Sequence, residues 1–116
     1  MNSVKVISVD KDSILHWLQH YIDTKIKNNM NVKALYLFGS FADNTYLPSS
    51  DIDLLIVLKK SAKKIIDRIP DFIPDRLPVG CDVIPITEEE LHNQLKQGNT
   101  FFKNILSNGK LLFIRN

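Results

Sequence analysis

A single cysteine, Cys81, stands among 116 residues. One thiol excludes an internal disulfide framework and any multi-cysteine zinc site, and it fits a reducing compartment. No apolar run approaches the roughly 20 residues that a membrane-spanning helix needs. The N-terminus has no basic segment leading into an apolar stretch, the pattern of a secretory signal. These absences predict a cytoplasmic protein without a membrane anchor. Charge imbalance is small too, with a formal net charge of +2, so direct nucleic-acid binding is not expected. Repeats, low-complexity tracts and linker-like shifts in composition are absent. What is present, 44% hydrophobic and 24% charged residues, is ordinary for a globular protein. The length predicts one domain over residues 1–116, able to bury about two-thirds of the surface its unfolded chain exposes.

Hydrophobic periodicity predicts alternating helices and strands. Val4 to Val9 reads as a short strand or extended arm. From Lys11 to Lys27, Ile14, Leu15, Leu18, Tyr21, Ile22 and Ile26 recur at helical spacing, and Asp10 or Asp12 can cap the start. Val32 to Phe38 reads as a buried strand ending at Gly39. Asp51 to Leu58, with its unbroken run Leu54–Leu58, reads as a strand covered on both faces. Lys59 to Ile69 is expected to be helical, with Ile65, Ile66 and Ile69 inward. Gly80 to Ile86 is a third strand, whose Pro85 argues against a fully paired central position. Thr87 with Glu90 has capping-box spacing and opens a helix to Gln97. A helical segment over Phe101 to Leu106 and a short strand over Leu111 to Ile114 close the chain. The alternation predicts an α/β or α+β domain with a mixed sheet flanked by helices.

The segment from Gly39 to Asp53 carries most of the chemistry. Residues two apart on a strand face the same way, so Asp51 and Asp53 at the start of a strand put two carboxylates side by side. Their repulsion is relieved by proton uptake or by a cation, and Mg2+ is typically held by one or two carboxylates plus substrate phosphates. Asp82 lies among apolar neighbours in the next strand, where a charge is costly unless paired or bound to metal. If that strand lies beside the Asp51–Asp53 strand, three carboxylates converge. Gly39 and Ser40 form a turn whose backbone can approach phosphates, and a helical turn starting there would aim N–H groups at an anion. Two divalent ions about 3.5–4 Å apart can clamp the attacking and leaving oxygens of an in-line displacement. The chemistry so implied is phosphoryl or nucleotidyl transfer.

Gly-Ser, ten residues, then Asp-x-Asp resembles the signature of the nucleotidyltransferase superfamily related to DNA polymerase beta. The whole chain, through Gly109-Lys110-Leu111-Leu112, is similar to its smallest branch, the minimal nucleotidyltransferases. The resemblance implies the polymerase beta-like fold. It implies that Gly39 and Ser40 hold the terminal phosphates of a nucleoside triphosphate, ATP above all, and that Asp51 and Asp53 bind Mg2+, two ions in all. Asp82 matches the third carboxylate, which binds the catalytic metal and helps activate the incoming hydroxyl. Members this short are often antitoxins paired with a HEPN-domain toxin, an RNase, and attach AMP to a tyrosine of that toxin. A homo- or hetero-oligomer fits such a pairing. The sequence departs from many relatives in one place: Ala42-Asp43-Asn44 stands where Ala-Arg-Gly is common. Asn44 can replace the glycine, whereas Asp43 facing inward would repel a triphosphate.

Two alternatives stand beside this reading: a module that neutralises its partner by contact alone, and a small-molecule transferase, such as one modifying an aminoglycoside, completed by dimerisation. His16 and His20, four apart, read as surface or boundary histidines. Cys81 reads as a small buried hydrophobe, Trp17 and Tyr21 as packing, and Lys59, Lys60, Lys63 and Lys64 as a solvated face.

Overall fold

The computed structural model describes residues 11–43, 45, 51–74 and 80–116. The expected strand over Val4–Val9, the Asp10 cap and Asn44 lie outside the described residues. Four strands form one mixed sheet in the order β3-β2-β1-β4. β1 (Val32–Phe38) lies antiparallel to β2 (Ile52–Leu58) and to β4 (Lys110–Ile114). β2 and β3 (Cys81–Thr87) run parallel, as a crossover connection requires.

Side-chain alternation sends the strand residues into two cores. Leu35, Leu37, Leu54, Ile56, Leu58 and Val83 join the N-terminal helix on one face. Ala34, Leu55, Val57 and Ile86 meet the C-terminal helices on the other. The unbroken apolar run of β2 follows from this: both of its faces are buried, with Leu54, Leu55 and Ile56 fully so. Pro85 sits on β3, an edge strand, where a missing N–H costs least.

The N-terminal helix, α1 (Lys11–Tyr21), passes into a π turn over Ile22–Ile26, with the Lys27 N–H donating to the Ile22 carbonyl at 2.8 Å. Ile14, Leu18, Tyr21, Ile22 and Ile26 are buried, but Leu15 is exposed and does not belong to the stripe. Tyr21 donates to the Phe72 carbonyl at 2.7 Å and stacks on Trp17, which is packing, as the sequence reading held. Burial raises its phenol well above the usual range.

The helix expected over Lys59 to Ile69 is reduced to one turn, α3 (Ile65–Arg68), continued by a 3-10 turn over Ile69–Asp71. Ile66 points outward, and Arg68 is the buried residue. Arg68 explains the truncation. Its guanidinium takes the Lys63 carbonyl at 2.6 and 2.9 Å, an acceptor that a longer helix would use itself. The like charges of Lys59, Lys60, Lys63 and Lys64 also disfavour a helix there.

The same guanidinium reaches the Pro85 carbonyl and both Glu90 oxygens at 2.7 and 2.9 Å. Glu90 lies in α4 (Glu88–Lys96) and completes the expected capping box with Thr87. The hydrogen bond from Arg68, with help from Thr87, lowers the Glu90 carboxyl to about 2. A carboxyl depressed on folding contributes stability above its unfolded pKa, and that stability is lost as pH falls through the folded value. The Arg68–Glu90 contribution should therefore fade between about pH 4.5 and 2. Glu90→Ala leaves a buried cation short of its partner and should cost about 1–3 kcal/mol in urea unfolding at pH 7, with the difference from wild type closing toward pH 2.

Candidate active site

β1 ends, and β2, β3 and β4 begin, at the same end of the sheet. β1 stops there because Gly39 follows, with φ at +77°, a conformation open mainly to glycine. α2 (Ser40–Asp43) begins at the next residue. Its Ala42 and Asp43 N–H groups donate to the Gly39 carbonyl at 3.1 and 3.2 Å, and Phe41 and Ala42 anchor it in the core. The helical turn expected at Ser40 is present, short and held in place from below.

β2 enters beside β3 through a hydrogen bond from the Ile52 N–H to the Gly80 carbonyl at 2.8 Å. In this register Asp53 is the direct partner of Asp82, and across the other ladder it faces Phe38. Ile52, Leu54 and Val83 belong to the core under α1, so alternation turns Asp53 and Asp82 to the opposite face, toward α4 and α5 (Thr100–Asn108). Asp51, two residues before Asp53, precedes the strand and is exposed.

Electrostatics tie the three together. Burial, then the charge of Asp82, then that of Asp51 raise the Asp53 carboxyl above its ordinary value. The charges of Asp82 and Asp51 both act on Asp53, although Asp51 lies just before β2 and not on it as the sequence reading had it. The three acids do not form a closed cage: among the described residues no three carboxylate, imidazole or thiol groups gather into a ready-made metal site. His16 and His20 take no part in such a group.

Two glycines make room for the acids. A Cβ on Gly39 would collide with the Asp53 carboxylate, and one on Gly80 with that of Asp51. Each carboxylate thus lies against bare backbone, in space that any side chain would fill. Oxygen donors of one charge, one of them destabilised as an anion, beside cradles kept clear of side chains, fit a hard divalent cation. Cys81 sits between them on the opposite face, packed against the α1 core. Burial and the charges of Asp82, Asp53 and Asp51 push its thiol up to about 12, which leaves it an inert apolar group.

The family model "Polymerase beta, Nucleotidyltransferase" matches residues 20–116. The chain belongs to this family. A protein of Methanocaldococcus jannaschii provisionally named a protein adenylyltransferase is 36% identical over 90 residues, covering 77% of this chain and 86% of that protein. A second from the same organism, with the same provisional name, is 33% identical over 86 residues, covering 71% of this chain and 58% of its own length. The crystal structure of a protein from Sulfolobus solfataricus, provisionally named a nucleotidyltransferase, superposes with a TM-score of 0.64 at 24% identity, over 99% of this chain and 93% of that one. That likeness bears on the fold, and the mixed sheet with flanking helices agrees with it.

In this nucleotidyltransferase domain, Gly39, Ser40, Asp51, Asp53 and Asp82 all lie at or beside the ends of β1, β2 and β3 at one end of the sheet. Sequence reasoning missed Gly80. A glycine opening a strand two residues before a key acid is a signal of close backbone approach, and here the approaching group is the Asp51 carboxylate.

Proposed function

We propose that the protein is a Mg2+-dependent nucleotidyltransferase that moves AMP from ATP to a hydroxyl, a tyrosine, of a partner HEPN toxin, and so acts as its antitoxin. The observation that carries the proposal is the Asp53–Asp82 pair, set side by side by parallel register with Asp51 close enough to disfavour the charged form of Asp53. Asp51, Asp53 and Asp82 would hold the divalent ions, which neutralise the acids and the phosphates together. Gly39 and Ser40 would take the terminal phosphates. The chain's own contribution is then mainly positioning and charge placement, which is most of what phosphoryl-type transfer asks of a protein. The provisional names of the curated relatives support a protein acceptor.

The test is to incubate the protein with Mg2+, labelled ATP and the product of the adjacent gene. Label should appear on the toxin and be lost with Asp82→Asn or with chelator. Absence of transfer, or transfer that survives Asp82→Asn, defeats the proposal. One observation favours the contact-only alternative: Asp43 lies beside Gly39, where a carboxylate opposes a triphosphate. If an Asp51→Asn/Asp53→Asn protein still neutralises the toxin as wild type does, contact suffices.

A further inference from the structure

Next to the carboxylates is a cleft of about 290 Å³, at the small end of the roughly 300–1,000 Å³ of small-ligand sites. It opens between α2 and α5, over the end of β1. Its walls include Phe38, Gly39, Asp43, Phe101, Asn104 and Asn108. Gly39 is common to both places: it borders this cleft and lies against the Asp53 carboxylate. Phe38, the cross-strand partner of Asp53, carries the cleft's floor. A molecule anchored at the carboxylates therefore has the cleft within reach.

The lining has a definite chemistry. Phe101 meets Phe38 edge-on at 5.7 Å and stays 48% exposed, leaving aromatic surface for a flat ring. Asn104 and Asn108, four apart on α5, share one helix face. Neither makes a side-chain hydrogen bond among the described residues. Each amide offers a donor and an acceptor. Asp43 can only accept while ionised. No lysine, arginine or histidine is among the described lining residues, so the cleft suits the uncharged end of a nucleotide and not its phosphates.

We propose that this cleft holds the adenine nucleoside of the donor nucleotide, with Asn104 and Asn108 reading the base and Asp43 accepting from its amino group or from a ribose hydroxyl. The proposal rests on the transferase reading above. Asparagine pairs in two-pronged fashion with the N6 and N7 of adenine. Guanine presents a carbonyl oxygen in place of that amino group, so the same donor-and-acceptor pairing with an asparagine amide is not open to it. Asp43 in place of the common arginine then has a use: it gives up phosphate contact and gains a partner for hydrogen-bond donors on the nucleoside.

The test is calorimetric titration of the full chain, in Mg2+, with ATP, GTP, UTP and inorganic tripolyphosphate. ATP should bind about tenfold or more tighter than tripolyphosphate, GTP or UTP, the worth of one or two hydrogen bonds and a stacked ring. Asn104→Ala/Asn108→Ala should bring ATP down to the tripolyphosphate level and leave tripolyphosphate binding unchanged, which also shows that the variant is folded. Equal binding of ATP and tripolyphosphate by wild type overturns the nucleoside cleft and leaves the phosphate site standing. An ATP preference that survives the double substitution, with a raised KM for the acceptor protein, also overturns it and assigns the cleft to the acceptor. Failure of every polyphosphate to bind overturns both this inference and the transferase reading.

Discussion

Asp53→Asn should raise thermal stability at neutral pH in metal-free buffer while reducing nucleotidyl transfer at least about a hundredfold, the upper end of the loss seen when even an outer partner of a metal site is removed. The two effects have one cause. In the folded protein Asp53 is partly buried and faces the charges of Asp82 and Asp51, which raise its carboxyl above the ordinary value. A carboxyl raised on folding binds a proton more tightly in the native state than in the unfolded one. Stability therefore falls as pH rises through the ordinary carboxylate range and beyond it. Asparagine removes that loss at all pH values. It also removes the response to Mg2+: wild type should gain thermal stability with added Mg2+ through linkage, and Asp53→Asn should gain much less. A differential scanning calorimetry series at pH 4 and pH 7, with and without Mg2+, reads all of this. An Asp53→Asn protein less stable than wild type at pH 7 without metal would contradict the account.

The second large effect is expected at Gly39. Gly39→Ala places a Cβ on a residue with φ of +77° and into the Asp53 carboxylate. The backbone strain alone is about 1–2 kcal/mol. Moving the carboxylate displaces a site whose geometry must hold to a fraction of an ångström, and a displacement of about 1 Å can cost about a hundredfold in rate. Gly98 is the matched control, because its φ is +79° and a Cβ there would meet nothing within 4 Å. Gly98→Ala should lose similar stability and keep full activity. Equal activity losses in the two variants would show that strain, and not the collision with Asp53, is responsible. Gly80→Ala, which has no positive φ, should lose activity through Asp51 with little strain.

Much of the site was legible in order but not in space. The Gly39-Ser40 turn and the Asp51-x-Asp53 spacing are local patterns, so their partners could be named from a short stretch of chain. The strands β1, β2 and β3 and the Thr87–Glu90 capping box were legible for the same reason: a buried run or a cap is written in neighbouring residues. The helix expected over Lys59 to Ile69 failed because a residue far along the fold intervened. Arg68 is buried by its bond to Glu90, 22 positions away, and no periodicity within the segment announces that. Leu15 failed for a related reason, since the apolar stripe of α1 is trimmed by what the helix packs against.

The sequence by itself determined which residues carry charge, which turn must be glycine-bearing and which runs must be buried, because these depend on side-chain chemistry and spacing along the chain. Only the tertiary structure decided that β3 runs parallel to β2 with Asp82 beside Asp53, that Gly80 makes way for Asp51, and that Asp43 and α5 share a cleft with Gly39. Register between strands and the packing of a helix over a sheet edge are set by long-range burial, where a one-residue slip would turn each acid to the other face. That information resides in the contacts between distant segments and not in either segment alone.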